Sequence, residues 1–580
     1  MKRVLSYLKP YLIYCLLAQL FMVGEVSMDL IQPTMMSTIV DEGVLGLSSG
    51  GVGDLNLVLT QGLQMILCVV LGGACGILAG LFSNLASQNF SNDVRKDCFR
   101  KVMHLSFSQT DQFSTGSLVT RITNDVTQVQ NIVPSLTRGG VRALVFFIGG
   151  IYCMLRLSVS FGVVIACALP FIIATVVYFL YKATPIFTQL QKKLDRVNSI
   201  MQENVSGARV VKAYVQERRE EKRFGQANQE LVDTQLKALV FFACMSPIMN
   251  IVMNIAVVAI IYVGGIQVQA GSTTPGNVMA AITYSSQILN SITSMAMIFQ
   301  NLTRGTASAK RLEEVLDVEP VIQDGQGAEP KVPGQVEFRN VSFAYPGAGD
   351  TVLHDINLTI HPGETLGIMG ATGSGKSSLV NLIPRFYDPT EGTVLVDGVD
   401  VKDYPLSDLR DKISIALQKS ELFRGTIGDN IAIGRPEAGQ EELEAAADTA
   451  QATEFIRQKA HGFDTPVAEK GMSLSGGQKQ RIAISRAVLK GAEILIFDDS
   501  TSALDLKTEA DLYAALRRDA PNVTKIIIAQ RVASVKGANR IAILEGGTII
   551  ACAPHEELLR TCPVYQDIYN SQLKGSEQHG

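Results

Sequence analysis

Three glycines, a lysine and a hydroxyl stand in close order in Gly370-Ala371-Thr372-Gly373-Ser374-Gly375-Lys376-Ser377. The run follows an apolar, β-branched stretch over 365–369 and precedes an apolar segment from Ser378 to Ile383. A strand, a glycine loop and a helix start in that order let backbone N–H groups wrap phosphate oxygens. Lys376 is then placed to reach the β- and γ-phosphates of a nucleotide. The Ser377 hydroxyl is placed to bind Mg²⁺, with Ser378 beside it. Further on, Ile494-Leu495-Ile496-Phe497 ends in Asp498, a carboxylate at a buried strand end, which suits the same metal ion. Ahead of it, Leu474-Ser475-Gly476-Gly477-Gln478 opens a predicted helix over 479–489 and makes a second phosphate site. One mononucleotide does not need both sites from one domain. Two domains facing each other, each lending one element, use both.

Such motifs need a largely parallel sheet flanked by helices, and only the later part of the 580-residue chain is patterned that way. From about 336, short β-branched strands alternate with helices. The earlier part is different in charge. Residues 1–320 carry 25 Lys+Arg and 20 Asp+Glu, whereas 321–580 carry 26 and 35. Charged residues are 18% overall, against roughly 25% in an ordinary soluble protein. This excludes a disordered chain, a collagen, a coiled coil and a small disulfide scaffold. Neither part is basic enough to make nucleic acid a main partner. The nine cysteines show no CxxC and no metal-ligand spacing, and read as small apolar residues of packed helices.

Charge-free windows locate membrane spans, since crossing the hydrocarbon layer takes about 20 apolar residues. No charge occurs over 55–92, 157–181 or 238–303, and two weaker spans lie near 11–32 and 132–155. With the long window divided at Gly271–Gly276, six spans are expected: 11–32, 57–86, 132–155, 159–181, 240–268 and 276–303. Lys and Arg concentrate in the segments after the second and fourth spans, which puts those segments, both termini and the soluble half in the cytoplasm. These inner segments, 87–131 and 182–239, read as helices running on past the membrane and joined at their tips by short helices. Residues 1–9 read as an amphipathic elbow leading into an uncleaved first span. Glu25 and Asp29 share one face of that span, toward its expected outer end. They are either a cation-attracting patch or helix-end groups bonded to neighbouring helices.

The P-loop, the LSGGQ sequence and the carboxylate strand in this order, after six spans, resemble an ABC exporter half-transporter of the type IV fold, multidrug- or lipid-exporter-like. The resemblance covers about residues 1–570. It implies a six-span α-helical transmembrane domain (1–320), a linker (321–335) and an α/β P-loop ABC ATP-binding domain (336–575). By the same resemblance Tyr345 stacks on adenine, Gln418 senses Mg²⁺ and the γ-phosphate, 469–471 form the X-loop and 502–505 the D-loop. Thr115–Leu118 with Arg121, Asn124 and Asp125 resemble the first intracellular loop, and Ser206–Ala213 the second. The family's coupling helices are then expected near 106–115 and 212–219.

Two positions depart from the family pattern. Its general base is a Glu directly after the metal-binding Asp, and here that residue is Asp499. Its switch histidine is here Gln530, which cannot carry a positive charge. Both losses beside an intact LSGGQ resemble the degenerate-site half of a heterodimeric exporter. The implied cofactors are ATP and Mg²⁺. The implied partners are a second half-transporter, the lipid bilayer and an exported drug- or lipid-like substrate, in a cell inner or plasma membrane. An ATP-gated channel or regulator on the same scaffold is the alternative, and uptake against a gradient separates the two.

Overall fold

The computed structural model describes residues 2–48, 50–327, 329–347 and 349–577. The chain divides into two compact units, Met1–Met103 with Thr115–Val318, and His104–Ser114 with Glu319–Gly580.

The first unit is all helical. Among the described residues, five helical segments are long and apolar enough to cross a membrane: α1 Arg3–Val44, α2 Leu55–Met103, α4 Thr115–Leu157, α5 Val159–Ser206 and α7 Glu217–Gln269. The sixth expected span lies in α8, Pro275–Leu316. It is long enough, but Ser, Thr, Asn and Gln at ten positions from Thr283 to Asn301 lower its apolar content below that of the other five. At about 1.5 Å per residue, helices of 42–53 residues run about two to two and a half times the ~30 Å of hydrocarbon. The second and fourth spans thus continue beyond the membrane as expected, and the third and fifth return to it. Short helices close the tips: α3 Phe107–Gln112 and α6 Ala208–Ala213. The latter lies ahead of the expected 212–219, because Gly207 ends α5 and Val215, in the left-handed region at φ 53°, starts the turn into α7.

Helix packing in this unit relies on small residues. Gly24 lies against Cys75 and Gly72 against Met28, so α1 and α2 approach closely. The N-terminal elbow is helical and is fixed to α2 by Tyr7, whose hydroxyl donates to Asp97 at 3.0 Å, and by Tyr11, which donates to Asp93 at 2.6 Å. Arg3 pairs with Asp317 at the end of α8. Asp41, buried, accepts from the Gly276 N–H at 2.7 Å and so caps α8. The first helical segment continues past residue 32 to Val44. Glu25 and Asp29 therefore lie near its middle, not toward its outer end.

Among the described residues the second unit holds two larger sheets and a two-stranded one. Six strands run in the order β12-β11-β3-β10-β9-β6, and four in the order β2-β1-β4-β5. Their ranges are β1 Val336–Phe343, β2 Leu353–Ile360, β3 Thr365–Met369, β4 Glu391–Val396, β5 Val399–Asp400, β6 Ile413–Ala416, β9 Ile494–Asp498, β10 Thr524–Ile528, β11 Arg540–Glu545 and β12 Thr548–Ala553, with the pair β7 Gly425–Thr426 and β8 Pro466–Val467 between β6 and β9. In the larger sheet β3, β6, β9, β10 and β11 are parallel and only β12 is antiparallel. β9 and β10 are buried at every position, as continuous apolar strands covered on both faces must be. The helix α3 belongs to this unit. The Phe107 ring lies 4.5 Å from Phe386, and the Gln109 side-chain N–H donates to the Glu319 carbonyl at 2.6 Å. Residues 323–327 are likewise held: Arg385 donates to the Gln323 carbonyl at 2.9 Å, and Asp324 accepts from the Leu406 N–H at 2.8 Å.

Candidate functional site

The glycine loop bridges β3 and the helix α9, Lys376–Asn381. Gly373 and Gly375 have φ of 85° and 97°, in the region glycine adopts without strain. A Cβ at Gly370 would lie 2.1 Å from the Leu544 carbonyl oxygen, so the loop start tolerates no side chain. Lys376 folds back over the loop. Its Nζ donates to the Gly370 and Ala371 carbonyls at 3.0 and 2.7 Å, with Ser374 Oγ at 3.5 Å. Burial lowers the Lys376 ammonium from its ordinary value, and Asp499 and Asp498 pull it back up. A phosphate would meet both the amine and the loop N–H groups here.

Ser377 Oγ donates to Asp498 Oδ1 at 2.8 Å. The hydroxyl and carboxylate expected to share a metal ion are thus adjacent, at the C-terminal edge of parallel strands, and the donor set of hard oxygens fits Mg²⁺. Burial pushes the Asp498 carboxyl up, and the neighbouring Asp499 adds to the rise. Asp499 has φ 48°, an unusual backbone state that Asp tolerates better than most residues. Its Oδ2 accepts from Gln530 Nε2 at 2.9 Å. Burial raises its pKa overall, although Gln530 and the nearby Gln418 pull it down. Tyr345 completes the wall. Its hydroxyl lies 2.9 Å from Ser378 Oγ, and its ring meets Phe343 and Tyr387 edge-on at 4.8 and 5.2 Å.

Together these side chains line a cleft of about 350 Å³ that also includes Thr372, Gly373 and Gly375. Gly370 and Ala371, with Thr372 and Gln530, border a second cavity of about 440 Å³. Ser475, Gly476, Gly477 and Gln478 line neither. Ser475 caps α10, Gly476–Leu489: its Oγ accepts from the Gln478 N–H at 3.3 Å, while Gln478 Oε1 accepts from the Ser475 N–H at 3.1 Å. This reciprocal capping box presents the backbone of Gly476 and Gly477 at a helix N-terminus. Asp505, at the end of the expected D-loop, caps the next helix by accepting from the Thr508 N–H at 2.9 Å.

In the first unit Asp125 is buried and paired with Arg311 of α8, while Arg121 reaches Glu314 at 3.0 Å. Arg142 of α4 was not anticipated from sequence. Its Nη1 donates to Glu25 Oε1 at 3.0 Å, and its Nη2 lies 3.8 Å from Asp29 Oδ2. The available signal was a pair of arginines, Arg138 and Arg142, inside an apolar span, in a chain whose first span carries two carboxylates. Phe107 was also missed, since an aromatic at a loop tip has no spacing signature. Among the described residues no group of three or more His, Cys, Asp and Glu could hold a metal, and the cysteines are free thiols.

The model of the ABC transporter transmembrane region matches residues 15–292, and the ABC transporter model matches residues 353–502. An uncharacterized ABC transporter ATP-binding protein of Bacillus subtilis, YfiB, is 38% identical over 100% of both chains. An ATP-dependent lipid A-core flippase of Syntrophus aciditrophicus is 34% identical over 88% of this chain and 85% of its own. The solved structure of a bacterial Atm1-family ABC exporter with ATP bound has a TM-score of 0.81 at 26% identity, covering 96% of this chain and 98% of that one. With a helical membrane region, an α/β nucleotide domain and relatives matched along its whole length, the chain belongs to the ABC transporter family, as an exporter half-transporter.

Proposed function

We propose that this chain is the degenerate-site half of a heterodimeric, ATP-driven exporter of an amphiphilic, drug- or lipid-like substrate. The observation that carries the reading is the Asp499–Gln530 contact. The two positions where the family uses a glutamate base and a histidine switch are occupied by a shorter acid and a neutral amide, and these bond to each other. Asp499 therefore enters the cleft with one oxygen already engaged and a methylene less reach. A general base needs a free oxygen within hydrogen-bond reach of the attacking water.

In this reading Tyr345 receives the adenine, and residues 370–378 with Lys376 hold the phosphates. Ser377, Gln418 and Asp498 would hold Mg²⁺, whose charge, when bound, neutralises the phosphates. The site retains ATP and hydrolyses it slowly. Ser475, Gly476, Gly477 and Gln478 serve the partner's cleft, where most turnover occurs. ATP binding closes the two nucleotide domains, and the intracellular helices carry that closure to residues 1–320, with 321–335 as the connecting segment and 336–575 as the motor. The termini and the nucleotide domain lie in the cytoplasm beneath the cell membrane. The flippase relative supports a lipid-like substrate.

The test isolates the tagged full-length chain from its native membrane together with the half-transporter it recruits. Within that complex Ser475→Ala is expected to abolish most ATPase activity and Asp499→Asn to change little. The opposite ranking assigns the working cleft to this chain and refutes the proposal.

A further inference from the structure

Two cavities in the first unit share a wall residue. One, of about 380 Å³, is bordered by Asp29, Arg142, Phe146, Gln287, Asn290 and Ser294. The other, of about 460 Å³, is bordered by Phe187, Phe242, Met249, Met297 and again Asn290. One cavity is charged and polar, the other aromatic and methionine-rich, and they meet at one position of α8.

The charges in the polar cavity are not evenly matched. Arg142 bonds Glu25 at 3.0 Å and makes a looser ion pair with Asp29, at 3.8 Å and beyond hydrogen-bond length. Glu25 is only 13% exposed and does not border the cavity, whereas Asp29 is 32% exposed and does. Gly76 of α2 makes room for the Glu25 carboxylate, since a Cβ there would lie 2.6 Å from Oε2. Arg138, one turn before Arg142, lies near Gly80 and does not border the cavity. One guanidinium thus faces two carboxylates, so the trio carries one negative charge in excess, and of the two carboxylates Asp29 is the one that borders the space. Gln287 Oε1, buried and without a hydrogen-bond partner, adds an acceptor to the same region.

The geometry points to a binding site for a monocationic amphiphile. Its charged group sits against Asp29, Gln287 and Asn290, and its apolar body lies among Phe187, Phe242, Met249 and Met297. Aromatic faces attract cations, and methionines adapt to varied apolar shapes. Glu25 and Asp29 therefore have separate tasks: Glu25 engages the arginine by the shorter bond, and Asp29, paired with it more loosely, recognises the ligand. This deepens the exporter reading and rests on it for the fate of the ligand, but the binding step needs neither ATP nor a transport cycle.

The test is equilibrium binding of radiolabelled tetraphenylphosphonium to the full chain in lipid nanodiscs, without nucleotide and with protein-free discs subtracted. Tetraphenylborate, of the same shape and opposite charge, is the comparison. The cation is expected to bind at least about tenfold more tightly than the anion, and Asp29→Asn to remove that preference, while Asp29→Glu keeps it within about threefold. Phe242→Ala weakens both ions by a similar factor. Glu25→Gln weakens the cation alone, because the freed Arg142 turns to Asp29. Equal binding of the two ions by the native chain overturns the proposal, as does an Asp29→Asn variant that keeps the preference. Where Asp29→Asn does not fold, as judged by gel filtration and retained ATP binding, Glu25→Gln decides in its place. Failure of ATP-driven uptake with charge-selective binding intact would fall on the exporter reading and leave the site standing.

Discussion

Lengthening one side chain should raise the rate of ATP hydrolysis. In the chain purified alone, every cleft combines its own Asp499 and Gln530 with its own LSGGQ. Asp499→Glu extends the carboxylate by one C–C bond, about 1.5 Å, and a misplacement of about 1 Å costs about 10²-fold in rate. It also moves the carboxylate off Gln530, which now bonds Asp499 Oδ2 at 2.9 Å, and frees an oxygen for water. At 1.36 kcal/mol per factor of ten, the gain corresponds to about 1.4–2.7 kcal/mol of barrier, or about 10- to 100-fold in kcat. The substitution also carries a cost. Asp499 stands at φ 48°, where Glu lacks the local hydrogen bonding that eases Asp. That strain is common to ground and transition states, so it should appear in stability, at about 1 kcal/mol, and not in rate. Phosphate release and thermal melting measure the two separately. Gln530→His added to Asp499→Glu should raise the rate further, and Lys376→Ala on that background should abolish it. A native chain that already hydrolyses ATP as fast as its Asp499→Glu variant would refute the argument.

Lys376→Ala in the native chain removes a charge-assisted phosphate contact worth about 1.5–3 kcal/mol, so ATP affinity by equilibrium binding should fall at least about tenfold. Asp498→Asn should raise the melting temperature of the nucleotide-free protein while abolishing Mg²⁺-dependent nucleotide binding. Burial raises the Asp498 pKa, so the group's favourable contribution is full at low pH and is lost as pH rises through the folded value. The stabilisation by Asn should accordingly be seen at neutral pH and shrink on acidification. Glu364 behaves oppositely. Burial pushes it up, but the Arg540 fork at 2.7 and 3.0 Å and the His361 N–H outweigh that and hold it below the ordinary carboxylate range. Its stabilisation is present above about pH 4.3 and lost as pH falls through the lower folded value, and Glu364→Gln should cost about 2 kcal/mol in denaturant melts at pH 7.

The nucleotide motifs were legible because their chemistry is local. A strand, glycine loop and helix within 20 residues leave little freedom, and Lys376, Ser377 and Asp498 fall together as that order requires. The spans were legible in their apolar cores but not at their ends, since a helix leaving the membrane keeps its backbone bonds while its composition turns polar. That is why the first span was cut short and Glu25 and Asp29 were placed too near its end. The polar face of α8 lowered its apolar signal for a related reason: its Gln287, Asn290 and Ser294 border a cavity and not lipid. Arg142 is the clearest loss. Sequence spacing cannot pair residues 117 positions apart on different helices.

The short helix α3 has a further consequence, for modularity. Phe107 lies against Phe386 and Tyr387, and Tyr387 in turn touches Tyr345 in the nucleotide cleft. The nucleotide unit is therefore sequence-discontinuous, with residues 104–114 as a sequence-distant segment packed on its surface. A recombinant fragment starting at Glu319 would be a domain missing a part, with Phe386 and Tyr387 more exposed. Exchange of ATP-binding domains between transporters should then succeed only when the matching intracellular segment travels with them, so that two distant stretches of the gene are inherited as one unit.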